Sequence, residues 1–469
     1  MEYVRNMKKT KIVATIGPKS DSREMLVKLS RAGVNVFRLN FSHGSQETHA
    51  VEIDTIKSLN LPVAIMLDTK GPEIRTGVVR DKVPLTIGDK FVITVDEGVY
   101  EETGKISVNY RNFVNDVDIG DVIVLDSGAM RARAIDRGGN DITFEVTDGH
   151  ANITTRRHIN LFGKPVSLPA VTDQDWSDID FGLAMNIDMI ALSFVRSGRD
   201  VRKVKDYCIA KGHRDVHIIS KIENFESTQN IDEIILESDG IMIARGDLAC
   251  EIQFSKVPAI QKKIITLCSI YKKPVIVATQ MVLSMVDSIQ PTRAEVSDVA
   301  NAVFERADAV MTSDETAKGN YPLNTIEVMA KIASDTEEEI YRDSTGESIP
   351  LQKYCLGRHF SENDIIGLLP GYAKNADAIV VIGNKPEYLN SVASARINLP
   401  ILSFTNSEKL RNNQNLVWNT TPILADVSDN WIKNIGVVLE LMRKNYSQYK
   451  NVVIIFEIDN NLTVQIRTA

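Results

Sequence analysis

Short apolar runs recur along the chain, each ending in polar or glycine-bearing residues and followed by a helix-like segment. They are KIVATIG (11–17), NVFRLNFS (35–42), VAIMLD (63–68), MIALSFV (189–195), HIISKIEN (217–224), GIMIARGDL (240–248), PVIVATQM (274–281) and AVMTSDE (309–315). Between them lie periodic stretches such as SREMLVKLSRAG and VPAIQKKIITLCSIYKK. Strand and helix alternate in this way in parallel α/β proteins. Eight such units, with one long interruption removed, come near the ~250 residues of a closed (β/α)8 barrel. The count favours that barrel over an open doubly wound sheet.

The interruption lies between Asp68 and Met189. Within it VPLTIGDKFVITV, KISVNY, DVIVLDSGAMRARAI and DITFEVTD alternate apolar and polar positions and are separated by GD, GG and DG turns. No helical periodicity of any length is present, so residues 71–168 are expected to form an inserted small β-barrel domain. Thr69-Lys70-Gly71-Pro72 leads into it and Gly163-Lys164-Pro165 leads out. Such joints suit a hinged lid over the barrel mouth, with a rigid insertion as the alternative. The barrel is then split into 1–70 and 169–344. After residue 345 the rhythm restarts: NDIIGLLPGYAKNA, PEYLNSVASARIN and NWIKNIGVVLELMRKNY read as helices, and ADAIVVIG, LPILSFT and NVVIIFEI as strands. Residues 345–469 form a separate C-terminal α/β domain on this reading.

Totals change the picture little. The 469 residues are too many for one core, and a net charge of −8 argues against a general nucleic-acid binder. The four cysteines, Cys208, Cys250, Cys268 and Cys355, form no CxxC pair and no zinc spacing, which fits reduced thiols in the cytoplasm. No apolar run reaches membrane-spanning length and no export signal is read, so no membrane partner is expected. Met7 is an alternative start.

The candidate chemistry lies at the strand ends. Side chains alternate along a strand, so Lys221 and Glu223 share one face, as do Arg245 and Asp247, and as do Arg38, Asn40 and Ser42. Active sites of such barrels lie at the carboxyl ends of the strands. There Glu223 and Asp247 offer two carboxylates to a divalent metal, and Lys221, Arg38 and Arg245 offer cations to an anionic substrate. Asn40 and Ser42, with Asp68 and Thr69 on the third strand, are neutral oxygens around one carboxylate, which suits a weakly held monovalent cation. Gly246-Asp247 opens a helix-like segment whose first amides can bind an anion. Thr279-Gln280 and the run Thr312 to Thr316 end the last two strands. Taken singly, each has a blander reading as a strand-end salt bridge or cap. His213-Arg214-Asp215 and Asp180-Phe181-Gly182 mimic protein-kinase signatures, but their order is wrong and no Gly-rich loop precedes them. No Walker A or GxGxxG sequence occurs.

KIVATIGP, RLNFSHG, LDTKGPEIRTG, ISKIEN, IMIARGDL, VATQM, PTRAEVSDVANAV and ETAKGNYP closely resemble the pyruvate kinase family, in order and over nearly the whole barrel. The resemblance implies phosphate transfer from phosphoenolpyruvate to ADP in glycolysis, giving pyruvate and ATP, and usually a homotetramer. It implies Glu223 and Asp247 as Mg²⁺ ligands, and Asn40, Ser42, Asp68 and Thr69 as the K⁺ site. Glu73 resembles the acidic residue that accompanies K⁺ dependence. Arg38 and Lys221 would hold the transferring phosphoryl group, where negative charge is spread over three oxygens. Lys221 would also steady the enolate, and Thr279 would lie near the carbon that is protonated, through a water chain. Amides of Gly246 and Asp247 would bind the substrate carboxylate, and Arg75 and Arg157 the nucleotide phosphates.

The sequence departs from the family pattern at Ala249-Cys250, where glycine is usual, and at Asp126-Ser127-Gly128, Leu161-Phe162-Gly163 and Asp314. The segment Gly383-Asn384-Lys385-Pro386-Glu387-Tyr388 has no hydroxyl to cradle a phosphate, and the chain ends in NNLTVQIRTA without a longer glycine-rich loop. Activation by fructose bisphosphate is therefore not expected. Two other functions stand beside the main one: a Mg²⁺-dependent lyase or aldolase of 2-oxo acids, and a catalytically silent assembly subunit. The lyase would need neither the K⁺ set nor a lid, and the intact Arg38, Lys221, Glu223, Asp247 and Thr279 argue against silence.

Overall fold

The computed structural model describes residues 8–342, 365–428, 431–458 and 461–468. Eight strands close a parallel barrel: β1 (Lys11–Thr15), β2 (Val36–Asn40), β3 (Ala64–Asp68), β4 (Met189–Leu192), β5 (His217–Ile222), β6 (Gly240–Ala244), β7 (Val275–Ala278) and β8 (Ala309–Thr312). Each pairs with its neighbours in chain order, and β1 closes the ring against β8. Both faces of these strands are covered, which is why they read as continuous apolar runs. Inward positions such as Val36, Ala64, Met66, Ala191, Ile219 and Met242 fill the barrel. Outward positions such as Phe37, Leu39, Ile65 and Leu67 pack under the surrounding helices. The helices carry their own stop signals. Ser22 caps helix Arg23–Ala32 by accepting from the Met25 amide, and Gly33 ends it at φ 113°.

The strands are shorter than the apolar runs. β6 stops at Ala244, and Arg245–Glu251 is already helix. Period-two pairing of Arg245 with Asp247 is therefore corrected: the two lie on a helical turn and point differently.

The inserted segment forms a seven-stranded sheet in the order Ile74–Arg75, His158–Leu161, Val122–Leu125, Met130–Gly138, Asp141–Gly149, Lys90–Thr94, Ile106–Ser107. A ribbon of Val83–Leu85 with Ala151–Ile153 accompanies it. Its core gathers Phe91, Phe113, Phe144, Leu125 and Ile159. Two four-residue helices, Tyr100–Thr103 and Phe113–Asp116, lie within it, too short to leave a periodic signal.

The C-terminal sheet has the order β11 (Thr420–Leu424), β10 (Ile401–Thr405), β9 (Ala378–Ile382), β12 (Asn451–Ile458), β13 (Asn461–Thr468). β11 and β13 are strands that the sequence reading above does not include. β13 pairs antiparallel with β12, so NLTVQIRT makes an edge strand. This domain covers the barrel floor, at the amino ends of the strands. Lys11 Nζ donates to the Thr420 carbonyl at 2.6 Å, the Asn419 amide donates to the Lys9 carbonyl at 2.9 Å, and Leu416 joins the barrel-interior cluster. The inserted β domain joins the chain at the other end, by the mouth. Among the described residues no helix is long and apolar enough to cross a membrane.

Candidate active site

Inward parity continues past the strand ends, and it delivers Arg38, Asp68, Ser193, Lys221 and Glu223 to one place at the mouth. Asp68 is fully buried, and its two oxygens are divided: Oδ2 lies 2.6 Å from Arg38 Nε, and Oδ1 lies 2.9 Å from Lys221 Nζ. Lys221 also lies 2.9 Å from Glu223 Oε1 and donates to Ser193 Oγ at 2.7 Å. Arg38 is braced further by Nη1 donating to Thr15 Oγ1 at 2.8 Å. Glu223 Oε2 accepts from the Phe194 amide at 2.8 Å. Phe194 holds φ 52°, an uncommon value for a bulky residue, and this aims its N–H at the carboxylate.

Charge is in surplus on the negative side. Arg38 and Lys221 face Asp68 and Glu223, and the Asp247 carboxylate acts on both Lys221 and Glu223. Burial works against the Asp68 charge, but Arg38 and Lys221 outweigh it and hold its carboxyl below the usual range. Burial likewise opposes charge on Lys221, yet Asp68 and Glu223 raise it above an ordinary lysine, so its ammonium is held. Burial pushes the Glu223 carboxyl up to about 7, with Asp247 and Asp68 adding to the effect against Lys221. Two cations against three carboxylates leave a deficit that a divalent cation fits. No group of three or more His, Cys, Asp or Glu placed for a metal occurs among the described residues. A metal here would take its other ligands from substrate and water.

β6 ends where helix Arg245–Glu251 begins, and this junction is tied to the end of β7. The Gly246 amide donates to Thr279 Oγ1 at 2.8 Å, and that hydroxyl donates to the Ala278 carbonyl at 2.7 Å. The Gly246 N–H is therefore already engaged, whereas the Asp247 amide lies in the first helical turn, where no intrahelical partner exists. Thr279 and Gln280 have φ 68° and 56°, a strained pair of left-handed residues at the mouth. Arg245 leaves the cluster. Its guanidinium pairs with Asp298 at 2.7 Å and donates to the Thr279 carbonyl at 2.7 Å, so it serves as a brace for this corner.

The four oxygens proposed for a monovalent ion are not equally placed. Asn40 lies opposite Asp68 in the β2–β3 register, and its Oδ1 accepts from the Ser42 amide at 3.1 Å, which fixes the carboxamide. The Thr69 hydroxyl is committed on the β4 side, accepting from the Ser193 amide at 3.0 Å, and so does not join them. Glu73 is held by Arg75 through two hydrogen bonds of 2.8 Å. Arg75 lines a cleft, partly open to solvent, with Lys70, Asn109, Arg156 and Gln174. Arg157 lies elsewhere: it pairs with Asp126 at 3.0 Å and lines a different recess beside His150.

Ser193 and Arg156 are functional candidates that the sequence reading missed. Ser193 stands at the carboxyl end of β4, the same position that identified its neighbours. Arg156 adjoins Arg157, and only the turn geometry, with φ 63° at Arg156, separates their directions. Three of the sequence's departures from pattern are absorbed locally. Ala249 packs against the Leu248, Ile252 and Val257 cluster, Phe162 lies under the Arg131 cation, and Asp314 pairs with Lys318 on the surface.

A closed barrel with an inserted β domain, and a mouth built of fixed cations around carboxylates, defines an enzyme that handles an anionic substrate together with a metal. The family model for the pyruvate kinase barrel domain matches residues 7–326. The chain is 39% identical over 445 residues to the chloroplastic pyruvate kinase isozyme G of Nicotiana tabacum, covering 94% of this chain and 78% of that one. It is 39% identical over 434 residues to a pyruvate kinase of Clostridium acetobutylicum, covering 90% and 89%. The crystal structure of a pyruvate kinase from Cryptosporidium parvum superposes with a TM-score of 0.90 at 32% identity, covering 98% of this chain and 96% of that one. The chain belongs to the pyruvate kinase family, whose members are phosphotransferases.

Proposed function

We propose that the protein transfers a phosphoryl group from phosphoenolpyruvate to ADP, giving pyruvate and ATP in glycolysis. The observation that carries this reading is the Arg38–Asp68–Lys221–Glu223 cluster, with its two fixed cations and its negative surplus. Mg²⁺, held by Glu223 and Asp247, would neutralise charge on the transferring group. Lys221 and Arg38 present permanent charge to the phosphoryl oxygens, and they need no reorganisation because Asp68 already fixes both. Lys221 also faces the enolate oxygen left behind. The Thr279 hydroxyl, anchored between Ala278 and Gly246, relays a proton toward the enolate carbon through water. The substrate carboxylate is assigned to the Asp247 amide, and to Gly246 if its N–H exchanges Thr279 for substrate. Arg75, with Arg156 beside it in the cleft, is assigned to the nucleotide phosphates. Arg157 keeps that role only on a lid position that brings its recess to the same nucleotide.

K⁺ at Asn40, Ser42 and Asp68 completes the proposal, with Thr69 offering its carbonyl rather than its hydroxyl. Assembly as a homotetramer and residence in the cytoplasm belong to the same proposal. An apolar groove lined by Pro291, Val296, Val328 and Ile332 supports assembly, and buried free Cys208, Cys250 and Cys268 support a reducing compartment. The test is pyruvate formation from phosphoenolpyruvate, ADP and Mg²⁺ with KCl titrated from zero. Turnover rising steeply with KCl supports reaction and monovalent site together. Turnover indifferent to KCl removes that site, and no turnover under any salt rejects the reaction.

A further inference from the structure

The loop after β2 is folded around one histidine. Phe41, Ser42, His43 and Gly44 run from the end of β2 to Ser45, which caps helix Gln46–Ser58. His49 on that helix is buried beneath them. Phe41 stacks on its ring, with centroids 4.1 Å apart and planes inclined by 22°. Its Nε2 lies 2.9 Å from the His43 carbonyl oxygen, and its Nδ1 lies 2.7 Å from Glu52 Oε2. Gly44 closes over the same edge, where an added Cβ would lie 3.3 Å from Nε2.

These contacts fix how many protons the ring carries. A carbonyl oxygen and a carboxylate oxygen both accept, so both ring nitrogens must donate, and only the imidazolium has two N–H groups. The surrounding charges agree. Glu52 faces the ring from its own helix, and Asp178 from helix Asp173–Ala184, tied in by Gln46 Nε2 donating to its Oδ1 at 2.8 Å. His43 brings only its carbonyl, its own side chain being exposed. Burial opposes the charge on His49, but the bonds to Glu52 and the His43 carbonyl, with the charges of Glu52 and Asp178, outweigh it and hold the ring above the ordinary 6.5. Loss of one proton leaves Nδ1–H on Glu52, the stronger, charge-assisted bond, and turns a lone pair of Nε2 toward the His43 carbonyl. The tie to the loop is therefore complete below 6.5 and is lost as pH rises through the higher folded value.

The loop holds candidate ligands at the mouth. Its root is fixed to β3, the Phe41 amide donating to the Asp68 carbonyl at 3.0 Å, and Asn40 Oδ1 accepts from the Ser42 amide at 3.1 Å. The His43 carbonyl is the next anchor along the chain. We propose that His49, as an imidazolium, is a positioning residue for this loop: it pins the His43 carbonyl so that Ser42 stays beside Asn40, and alkaline pH releases it. The effect on the mouth rests on the reading of Asn40 and Ser42 as monovalent-cation ligands. On that reading the enzyme demands more KCl as pH rises.

Hydrogen exchange of the loop amides, read by mass spectrometry on the full-length protein without substrate, tests the switch across a series from about pH 5.5 to about pH 9. His49→Gln keeps a neutral donor for the His43 carbonyl and does not titrate. Loop protection is expected to fall about tenfold or more with rising pH in the parent, the loss of one charge-assisted hydrogen bond, and to stay level in His49→Gln. Glu52→Gln removes the partner that holds the proton, so the pH at which the loop loosens is expected to fall by about one unit. This second variant decides if His49→Gln does not fold. Protection that changes equally in parent and His49→Gln, or a Glu52→Gln midpoint equal to the parent's, overturns the proposal. Turnover reads the effect on the mouth: half-saturating KCl is expected to rise with pH in the parent and not in His49→Gln. A loop that loosens while KCl demand moves equally in both proteins overturns the positioning role. Turnover indifferent to KCl at every pH rejects the monovalent site instead, and hydrogen exchange still decides for the loop.

Discussion

Lys221 on β5 and Asp68 on β3 meet at 2.9 Å although β4 lies between their strands. The contact is possible because both occupy inward positions at the top of the barrel, and Ser193 just after β4 stands between them, its Oγ accepting from Lys221 at 2.7 Å and lying 3.3 Å from Asp68 Oδ1. The ammonium is thus positioned by groups on three strands before any substrate arrives. Lys221→Met keeps the length and removes the charge. Turnover is expected to fall by about 10²–10³-fold, the range for losing one fixed stabiliser of transition-state charge. Mg²⁺ binding, followed by calorimetry without nucleotide, is expected to persist, because Glu223 loses a competing cation. Unchanged turnover rejects the role of Lys221.

Gly71 lies in the joint that leads into the inserted domain, and its geometry admits no side chain. It holds φ 75°, and an added Cβ would lie 2.7 Å from Phe194 Cδ2 and 2.8 Å from Ser193 Cβ. Phe194 in turn supports Glu223 through its amide. Gly71→Ala is expected to cost about 2–4 kcal/mol, the sum of left-handed strain and overpacking, in urea unfolding. It should also lower turnover by displacing the Glu223 support. A variant that matches the parent in both measurements would falsify the coupling between joint and site.

The barrel was legible because its strands are buried on both faces, so eight apolar runs stood out against the helices between them. Parity along those runs grouped Lys221 with Glu223 and singled out Arg38, and Asp68 was read from its place at the end of the third run; all four continue the inward face. What the runs hid is where a strand turns. Arg245 reads as a strand residue beside Asp247, yet it opens a helix and spends its charge on Asp298, a partner 53 positions away that no local pattern reveals. Which oxygen Thr69 offers was also hidden: the neighbouring strand claims its hydroxyl, and only its carbonyl is left to the proposed ion. Ser193 was overlooked because a serine at the end of MIALSFV carries no charge to mark it. β13 was missed although Leu462, Val464 and Ile466 alternate with polar positions in NLTVQIRT; its antiparallel pairing with β12 fixes it as a strand.

Thr279 concentrates strain where the chemistry is assigned. A β-branched residue at φ 68° is a backbone outlier, and the hydroxyl is held by Gly246 and Ala278. Thr279→Gly relieves the strain and removes the hydroxyl, whereas Thr279→Ser keeps it. Turnover of the glycine variant is expected to fall on the order of 10²-fold, with the serine variant close to the parent. Melting temperature should not follow the loss of rate. A glycine variant as active as the parent removes Thr279 from the proton path.

Glu251 links the lid to the helix that carries Asp247, and it does so with a carboxyl that resists ionisation. Its Oε1 accepts from Asn160 Nδ2 at 2.9 Å, and its carbonyl accepts from the Gly163 amide at 2.8 Å. Burial pushes its carboxyl up to about 7, from an ordinary value of 4.5, against the hydrogen bond from Asn160. A carboxyl raised on folding favours the protonated folded state, so its contribution to stability is complete below 4.5 and is lost as pH rises through about 7. Glu251→Gln is always neutral and retains an acceptor for Asn160. The variant is therefore expected to match the parent in melting temperature near pH 4.5 and to exceed it by several degrees near pH 8, where the parent must bury a charge or open the seam. Melting curves of both proteins across that range give the comparison. A difference that is constant with pH means that the Glu251 carboxyl binds its proton equally in the folded and unfolded chain, so the seam does not depend on it.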